Sequence, residues 1–320
     1  MMKLSVVIPV FRSGNVLYEL HSRLVGVLSA LELDDYEIIF VEDGGGDNSW
    51  DVIQEIASRD GRVRGIRLSR NYGQHNALLC GIRRAHGDVI ITMDDDLQHP
   101  PEEIPKLLKK LSEGYDVVYG SPQSLPHGFF RNLASTITKW VLQSAMGAKN
   151  AREVSAFRAF RTDVRKAFEN YHSPLVCIDV LLTWGTTNFG YVKVAHHPRK
   201  AGVSGYTLRK LITHAVNMLT GFSVLPLQLA SLIGLAFTAF GFVILCYVLF
   251  RYFADGARVP GFAFLASIIS IFSGVQLFTL GVIGEYLARM YLRVMDRPPY
   301  VVSQDTCSMT NSKEKNKKES

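Results

Sequence analysis

Two long stretches without charge constrain this chain more than any other feature. Between Leu211 and Phe250 there is no Asp, Glu, Lys or Arg, and Gly261 to Gly284 is a second uncharged run. A bilayer core takes about 20 apolar residues per helix, so the pattern predicts spans near Leu225–Phe250 and Phe262–Ile283. The alternative is a pair of buried helices in a soluble domain. Arg199, Lys200, Arg209 and Lys210 precede the first run, and Arg289, Arg293 and Arg297 follow the second. The connecting "RYFADGARVPG" holds only Arg251 and Arg258, offset by Asp255. The positive-inside rule therefore predicts a multi-pass inner (plasma) membrane protein with the large N-terminal region and both termini in the cytoplasm. The opening "MMKLSVVIPVF" is too short and too soon polar for a signal peptide, and predicts a first strand.

Charge and cysteines narrow the partners. Part of the net charge of +6 sits in the final "SKEKNKKES", a predicted disordered tail suited to anionic lipid or to solubility alone. No basic patch interleaved with aromatics is present, so nucleic acid is not an expected partner. Cys80, Cys177, Cys246 and Cys307 are scattered, one of them inside a predicted span, which fits a reduced compartment and no zinc site.

The first 200 residues alternate between short apolar runs and helix-period segments. Strands are predicted at Leu4–Val10, "YEIIFVED", "VRGIRLS", "DVIITMD", "YDVVYG" and, later, "GYVKVAHHP". Helices are predicted at Val16–Leu31, "WDVIQEIAS", "NALLCGIRRA" and "PEEIPKLLKKLSEG". Continuous apolar strands alternating with helices predict a mostly parallel α/β sheet covered on both faces. Ligands of such sheets bind beyond the carboxyl ends of the strands. Asp43 and Asp94–Asp96 end two of those strands, so both acidic clusters are expected on one rim. Further on, "TLRKLITHAVNMLTGF" has apolar and basic residues at helical spacing and predicts a helix lying on the membrane, with a soluble core helix as the alternative.

In "MDDDLQHPP" three carboxylates directly follow "VIIT", leaving little slack to reach solvent. Successive side chains of a strand alternate, so Asp94 and Asp96 are expected to point one way and Asp95 the other. Asp94 and Asp96 then bracket a Mg2+ or Mn2+ ion with hard oxygens; a basic partner or a solvated loop is the competing reading. "VEDGGGDNS" offers Gly44-x-Gly46-x-x-Ser49 but lacks a third glycine and carries acids where a pyrophosphate would sit. Asp43 is better suited to accept from a nucleobase N–H.

"VVIPVF", "VEDGGGDNS", "RNYGQHNAL", "MDDDLQHPPEEIP" and "GYDVVYG" come in the order and spacing of family 2 GT-A glycosyltransferases. With "GEYLARMYLRVMDRPPYVV" after the second span, the chain resembles the membrane-bound polyprenyl-phosphate type: bactoprenol glucosyltransferases, undecaprenyl-phosphate aminoarabinose transferases and dolichol-phosphate mannose synthases. The resemblance implies a GT-A, Rossmann-like fold with a cytoplasmic catalytic domain at 1–205. The hydropathy and spacing readings add an interfacial helix at 206–223, two transmembrane helices within 224–286 and a C-terminal segment at 287–320.

The resemblance further implies a nucleotide-sugar donor, in the first place a UDP-sugar, and a polyprenyl phosphate acceptor, with a homo-oligomeric assembly. Pro9 and Val10 would line the nucleotide pocket, Asp43 would read the base, and Asp94 and Asp96 would hold the metal with Asp95 beside them and Gln98 near the sugar. Arg70 and Asn71 would shape the donor site or the fold around it. On the acceptor side Arg131 and Ser135, four residues apart, match the lipid-phosphate contacts, as do Arg158, Arg199, Ser204 and Tyr206. Glu153 is the candidate general base. Gly205 stands where relatives have lysine, Pro122 and Gln123 where they have arginine, Phe11-Arg12 where they have Tyr-Asn, and Asp95 where they have a small residue. A GDP-mannose-dependent dolichol-phosphate-type enzyme and a catalytically silent membrane scaffold are the alternatives. A processive synthase is disfavoured, because Trp50, Trp140 and Trp184 lie outside any Gln-x-x-Arg-Trp motif.

Overall fold

The computed structural model describes residues 2–122, 154–197, 220–221, 224–255 and 261–307. The chain divides into two compact units, Met1–Thr207 with Asp296–Ser320, and Leu208–Met295.

The first unit is built on one eight-stranded sheet in the order β7-β5-β6-β4-β1-β2-β3-β8. Its strands are β1 Lys3–Val10, β2 Asp35–Glu42, β3 Val63–Leu68, β4 Val89–Thr92, β5 Val117–Pro122, β6 Arg158–Arg161, β7 Phe189–Val194 and β8 Val302–Asp305. The helices are α1 Leu17–Ser29, α2 Ser49–Arg59, α3 Gln74–Arg84, α4 Ile104–Ser112 and α5 Ile178–Gly185, with 3₁₀ turns at Pro101–Glu103 and Thr162–Phe168. β1 pairs in parallel with β2 and with β4, and β2 with β3, as the apolar runs predict. β6 enters antiparallel between β4 and β5, so the sheet is mixed.

Period-2 alternation divides each central strand between two cores. Leu4, Val6, Ile8 and Val10 of β1 pack with Leu20 and Leu24 of α1, Ile53 of α2 and Leu107 of α4. Val7 of the same strand packs with Ile39, Ile66, Leu78 of α3 and Leu181 of α5 on the other side. Each such buried aliphatic side chain contributes about 1.5–3 kcal/mol relative to exposure. Both faces are covered, which is why these strands read as unbroken apolar runs. The chain runs from β1 outward through β2 and β3, then returns to place β4 on β1's other side. The β1/β4 boundary is therefore a topological switch point, where such sheets open a crevice.

The C-terminal segment departs from the expectation. The predicted cytoplasmic segment from 287 begins inside a helix and then supplies an edge strand. Antiparallel β8 pairs Ile66 with Asp305 and Arg67 with Gln304. Arg64 donates to Asp305 through Nε at 3.1 Å and Nη2 at 2.7 Å, and Gly65 N–H donates to Thr306 Oγ1 at 3.0 Å. The basic tail from 308 onward lies outside the described residues.

The second unit contains α6 Leu225–Asp255 and α7 Phe262–Val294. Both are long and apolar enough to cross a membrane. The second runs past the expected end at Ile283, since the charged residues from Glu285 onward continue the helix; Arg289 pairs with Glu285 one turn back at 2.6 Å. Phe237 and Phe272 meet edge to face at 6.0 Å. Outward residues such as Leu235, Phe242, Val243 and Phe250 expose most of their apolar surface, a state suited to lipid rather than water. Of the expected interfacial helix at 206–223, only Thr220 and Gly221 are described, and both are helical.

Candidate active site

The carboxyl ends of β1, β2 and β4 frame a cleft of about 230 Å³ lined by Pro9, Val10, Phe11, Asp43, Asn71, Gly73, Gln74, Asp94, Asp95 and Asp96. Pro9 and Val10 end β1 in register with Val41 and Glu42 of β2.

Asp43, 3% exposed, is the hinge of one wall. Its Oδ1 accepts the Tyr72 N–H at 2.7 Å and its Oδ2 the Gly73 N–H at 2.8 Å. Burial raises its pKa and these two bonds oppose the rise. Beside it, Gly44 has φ +65, and a Cβ there would lie 2.4 Å from the Arg70 carbonyl carbon. Only glycine lets the two loops meet so closely. The rest of "GGGD" is internally braced: Gly45 N–H donates to Glu42 Oε1 at 2.6 Å, and Asp47 Oδ2 accepts from Ser49 Oγ at 2.7 Å. That arrangement is a structural turn, not a phosphate cradle.

The acidic trio corrects the alternation expected for it. β4 ends at Thr92, so Asp94–Asp96 stand on a turn and each carboxylate follows its own partner. Asp94 Oδ1 accepts from Gln74 Nε2 at 2.5 Å, Asp95 Oδ2 from the Phe11 N–H at 3.1 Å, and Asp96 Oδ1 from the Gln98 N–H at 3.1 Å. The last bond is an Asx turn, and it holds Leu97 at φ +58 although Leu97 is buried. A non-glycine residue in that region costs on the order of 1 kcal/mol and persists where surroundings force it, often at functional sites. Burial raises the pKa of Asp95, opposed by the Ser13 hydroxyl and the Phe11 N–H. All three acids line the cleft, and a set of hard carboxylate oxygens suits Mg2+ or Mn2+.

A second cluster joins His75, Cys177 and Asp179, whose ligand atoms lie within 4.8 Å of one another. Asp179 is already engaged by Arg158 and by Tyr119 Oη, burial pushes the Cys177 thiol up to about 12, and His75 Nδ1 accepts the Ile178 N–H at 3.3 Å. This is an internal hydrogen-bond network.

Of the sequence-predicted residues, the cleft brings together Pro9, Val10, Asp43, Asp94, Asp95 and Asp96. Gln98 is one turn further on, its carbonyl accepting the His197 N–H at 2.8 Å. Arg158 is not at an acceptor surface as expected: it is 1% exposed on β6, with Nε donating to Thr92 Oγ1 at 3.0 Å and Nη1 bonded to Asp179. Arg131, Ser135, Glu153, Arg199, Ser204 and Tyr206 lie outside the described residues. Phe11, Gly73 and Gln74 are cleft residues that the sequence reading did not assign. Gln74 had a usable signal, since it lies between a glycine and the predicted helix that starts at Asn76.

Residues 5–167 match the family described as "Glycosyl transferase family 2". The chain belongs to glycosyl transferase family 2. Among curated relatives, the undecaprenyl-phosphate 4-deoxy-4-formamido-L-arabinose transferase of Proteus mirabilis is 36% identical over 94% of this chain and 93% of its own length. The protein of that name from Edwardsiella ictaluri is 35% identical over 93% and 92%. Among solved structures, glucosyl-3-phosphoglycerate synthase of Mycobacterium tuberculosis, in complex with Mn2+ and UDP-glucose, superposes with a TM-score of 0.50 at 15% identity, covering 68% of this chain and 77% of that one. At that identity the likeness concerns the fold, and it is the GT-A fold that this family 2 chain adopts.

Proposed function

We propose that this family 2 glycosyltransferase moves a sugar from a nucleotide-sugar, in the first place a UDP-sugar, to undecaprenyl phosphate at the cytoplasmic membrane face. The product would be a lipid-linked sugar for surface glycan or lipid A modification. The observation that carries the reading is the convergence of Asp43 and the Asp94–Asp96 turn on one cleft at the switch point. The curated relatives are named for transfer to undecaprenyl phosphate, and the names favour a modified pentose as the sugar.

Pro9, Val10 and Asp43 bind the nucleoside end, Asp43 accepting from the base with lone pairs beyond those used by Tyr72 and Gly73. Asp94 and Asp96 would hold a Mg2+ or Mn2+ ion, which when bound neutralises charge on the departing diphosphate. The acceptor phosphate carries about −1.5 to −2 charge near pH 7, so it attacks with little need of deprotonation. Its oxygen bonds to the anomeric carbon while the bond from that carbon to the diphosphate breaks, the electron pair leaving with the nucleotide and the configuration inverting. Arg131 and Arg199 align the phosphate through paired donors, and Glu153 is the candidate base. The membrane helices anchor the chain to the bilayer that carries the lipid acceptor. Both termini in the cytoplasm and a homo-oligomeric assembly belong to the same reading.

The test is to incubate purified full-length protein with undecaprenyl phosphate, Mn2+ and a panel of UDP-sugars and GDP-mannose, and to weigh the lipid product. A glycolipid made from a UDP-sugar and abolished by chelator is the expected result. Product from GDP-mannose alone would favour the dolichol-type alternative. Product that persists in chelator would overturn the metal role, and absence of nucleotide binding would overturn the enzyme reading.

A further inference from the structure

Gln74 lines the same cleft as the acidic turn, and its Nε2 donates to Asp94 Oδ1 at 2.5 Å. The two residues differ in how their backbones are held. Asp94 stands two residues beyond the end of β4. Gln74 begins α3, which is pinned at this end by several bonds. The preceding Gly73 has φ +95 and donates its N–H to Asp43. His75 Nδ1 accepts from Ile178, and Asn76 Nδ2 donates to Tyr72 O at 2.7 Å and to Pro174 O at 3.3 Å. The inner residues Ala77, Leu78 and Cys80 are buried. The carboxamide is thus mounted on a fixed platform and reaches across to a carboxylate beyond the strand's end.

We infer that Gln74 is a positioning residue that orients Asp94 to receive a divalent cation, an inference resting on the metal-dependent reading of this cleft. The chemistry suits that task. A neutral amide directs a carboxylate with one hydrogen bond and leaves its negative charge available, whereas a Lys or Arg in the same place would compete with the cation. The Gly73–Gln74 peptide also links the two ends of the cleft, because Gly73 holds Asp43 and Gln74 holds Asp94. Removal of a partner that orients a metal ligand typically costs about 10–100-fold in metal affinity.

The test measures Mn2+ binding to the full-length protein without donor, by calorimetry or by the Mn2+ electron paramagnetic resonance signal. Gln74→Leu keeps the bulk of an exposed side chain and removes the donor. The expected result is Mn2+ affinity lower by about 10–100-fold, with metal-free UDP affinity and melting temperature unchanged. Turnover of the variant should return toward the parent value when Mn2+ is raised to saturation. Unchanged Mn2+ affinity in the variant would overturn the inference and leave the metal reading intact. A turnover defect that saturating Mn2+ does not repair would also overturn it, since Gln74 would then act on the donor itself. Failure of the parent protein to bind Mn2+ would overturn the metal reading and this inference together.

Discussion

The Arg158 guanidinium on β6 meets the Asp179 carboxylate at the start of α5 with both residues buried, 1% and 6% exposed. Tyr119 of β5 donates to the same Oδ1 at 3.1 Å, and Arg158 Nε donates to Thr92, the last residue of β4. Three strands and a helix are thereby tied together immediately behind the acidic turn. Burial pushes the Tyr119 hydroxyl well up, so it remains a donor at every physiological pH.

Breaking that pair from one side should be costly. Arg158→Leu leaves the Asp179 charge buried and uncompensated, with an expected loss of about 3–5 kcal/mol in denaturant unfolding of the full-length protein. The double replacement Arg158→Met with Asp179→Leu should recover much of it. A single-variant loss below about 1 kcal/mol would be the behaviour of an exposed pair and would contradict the buried geometry.

Asp96→Ala should keep the fold, because the residue sits on a surface turn beyond β4. Turnover is expected to fall by about 10³-fold, the scale of losing several kcal/mol of charge stabilisation. Glycolipid formation at saturating donor, together with Mn2+ binding, checks this; near-normal turnover would remove Asp96 from the metal site.

His99 stacks on Phe157 at 5.4 Å and meets His196 edge-on at 5.0 Å, with neither ring nitrogen bonded among the described residues. Burial, aided by the neighbouring His196, pushes its pKa down to about 4. Between that value and the ordinary ~6.5 the unfolded chain takes up a proton that the folded chain refuses. The contribution of His99 to stability is therefore complete above ~6.5 and lost as pH falls toward the folded value. His99→Phe retains the stack and removes the titration, so its melting temperature should vary less across this window than the parent's. An identical pH slope in the two proteins would assign the effect to other groups.

The edge strand β8 predicts a stability role for a residue close to the chain's end. Asp305→Ala removes both bonds to Arg64 and should lower stability by about 1.5–3 kcal/mol, the range for hydrogen bonds to charged groups. Deleting the strand should expose the β3 edge and promote aggregation, measurable by light scattering. Unchanged stability and solubility after both changes would show that β8 does not close the sheet in solution.

Most of the central architecture was legible in the residues because burial on both faces leaves a periodic signal. β1 to β4 and α1 to α4 fall within a few residues of their predicted places, and the two apolar helices begin where the uncharged runs indicate. Short pieces escaped. β6 and β8 have four residues each, and they join the sheet through partners distant in sequence: Arg158 opposite Thr92 on one side and Tyr119 on the other, and Asp305 opposite Ile66. Of the site, the residues that end strands were readable, because a strand's end has a fixed place on the rim. Gln74 was not assigned, because its role depends on an acid twenty residues away.

What the order of residues determined alone was chemical kind and rough position: hard carboxylates after "VIIT", glycines where loops must meet, and two segments too apolar for water. What the tertiary structure decided was orientation and company. β4 stops before the acids, so each side chain obeys its own hydrogen bond instead of a shared alternation. An arginine that could have met a phosphate was drawn instead into a buried pair, because only packing brings Asp179 beside it. The cause is physical: hydropathy and backbone preference act between near neighbours, whereas a hydrogen-bond partner is chosen by whatever the fold places within about 3 Å.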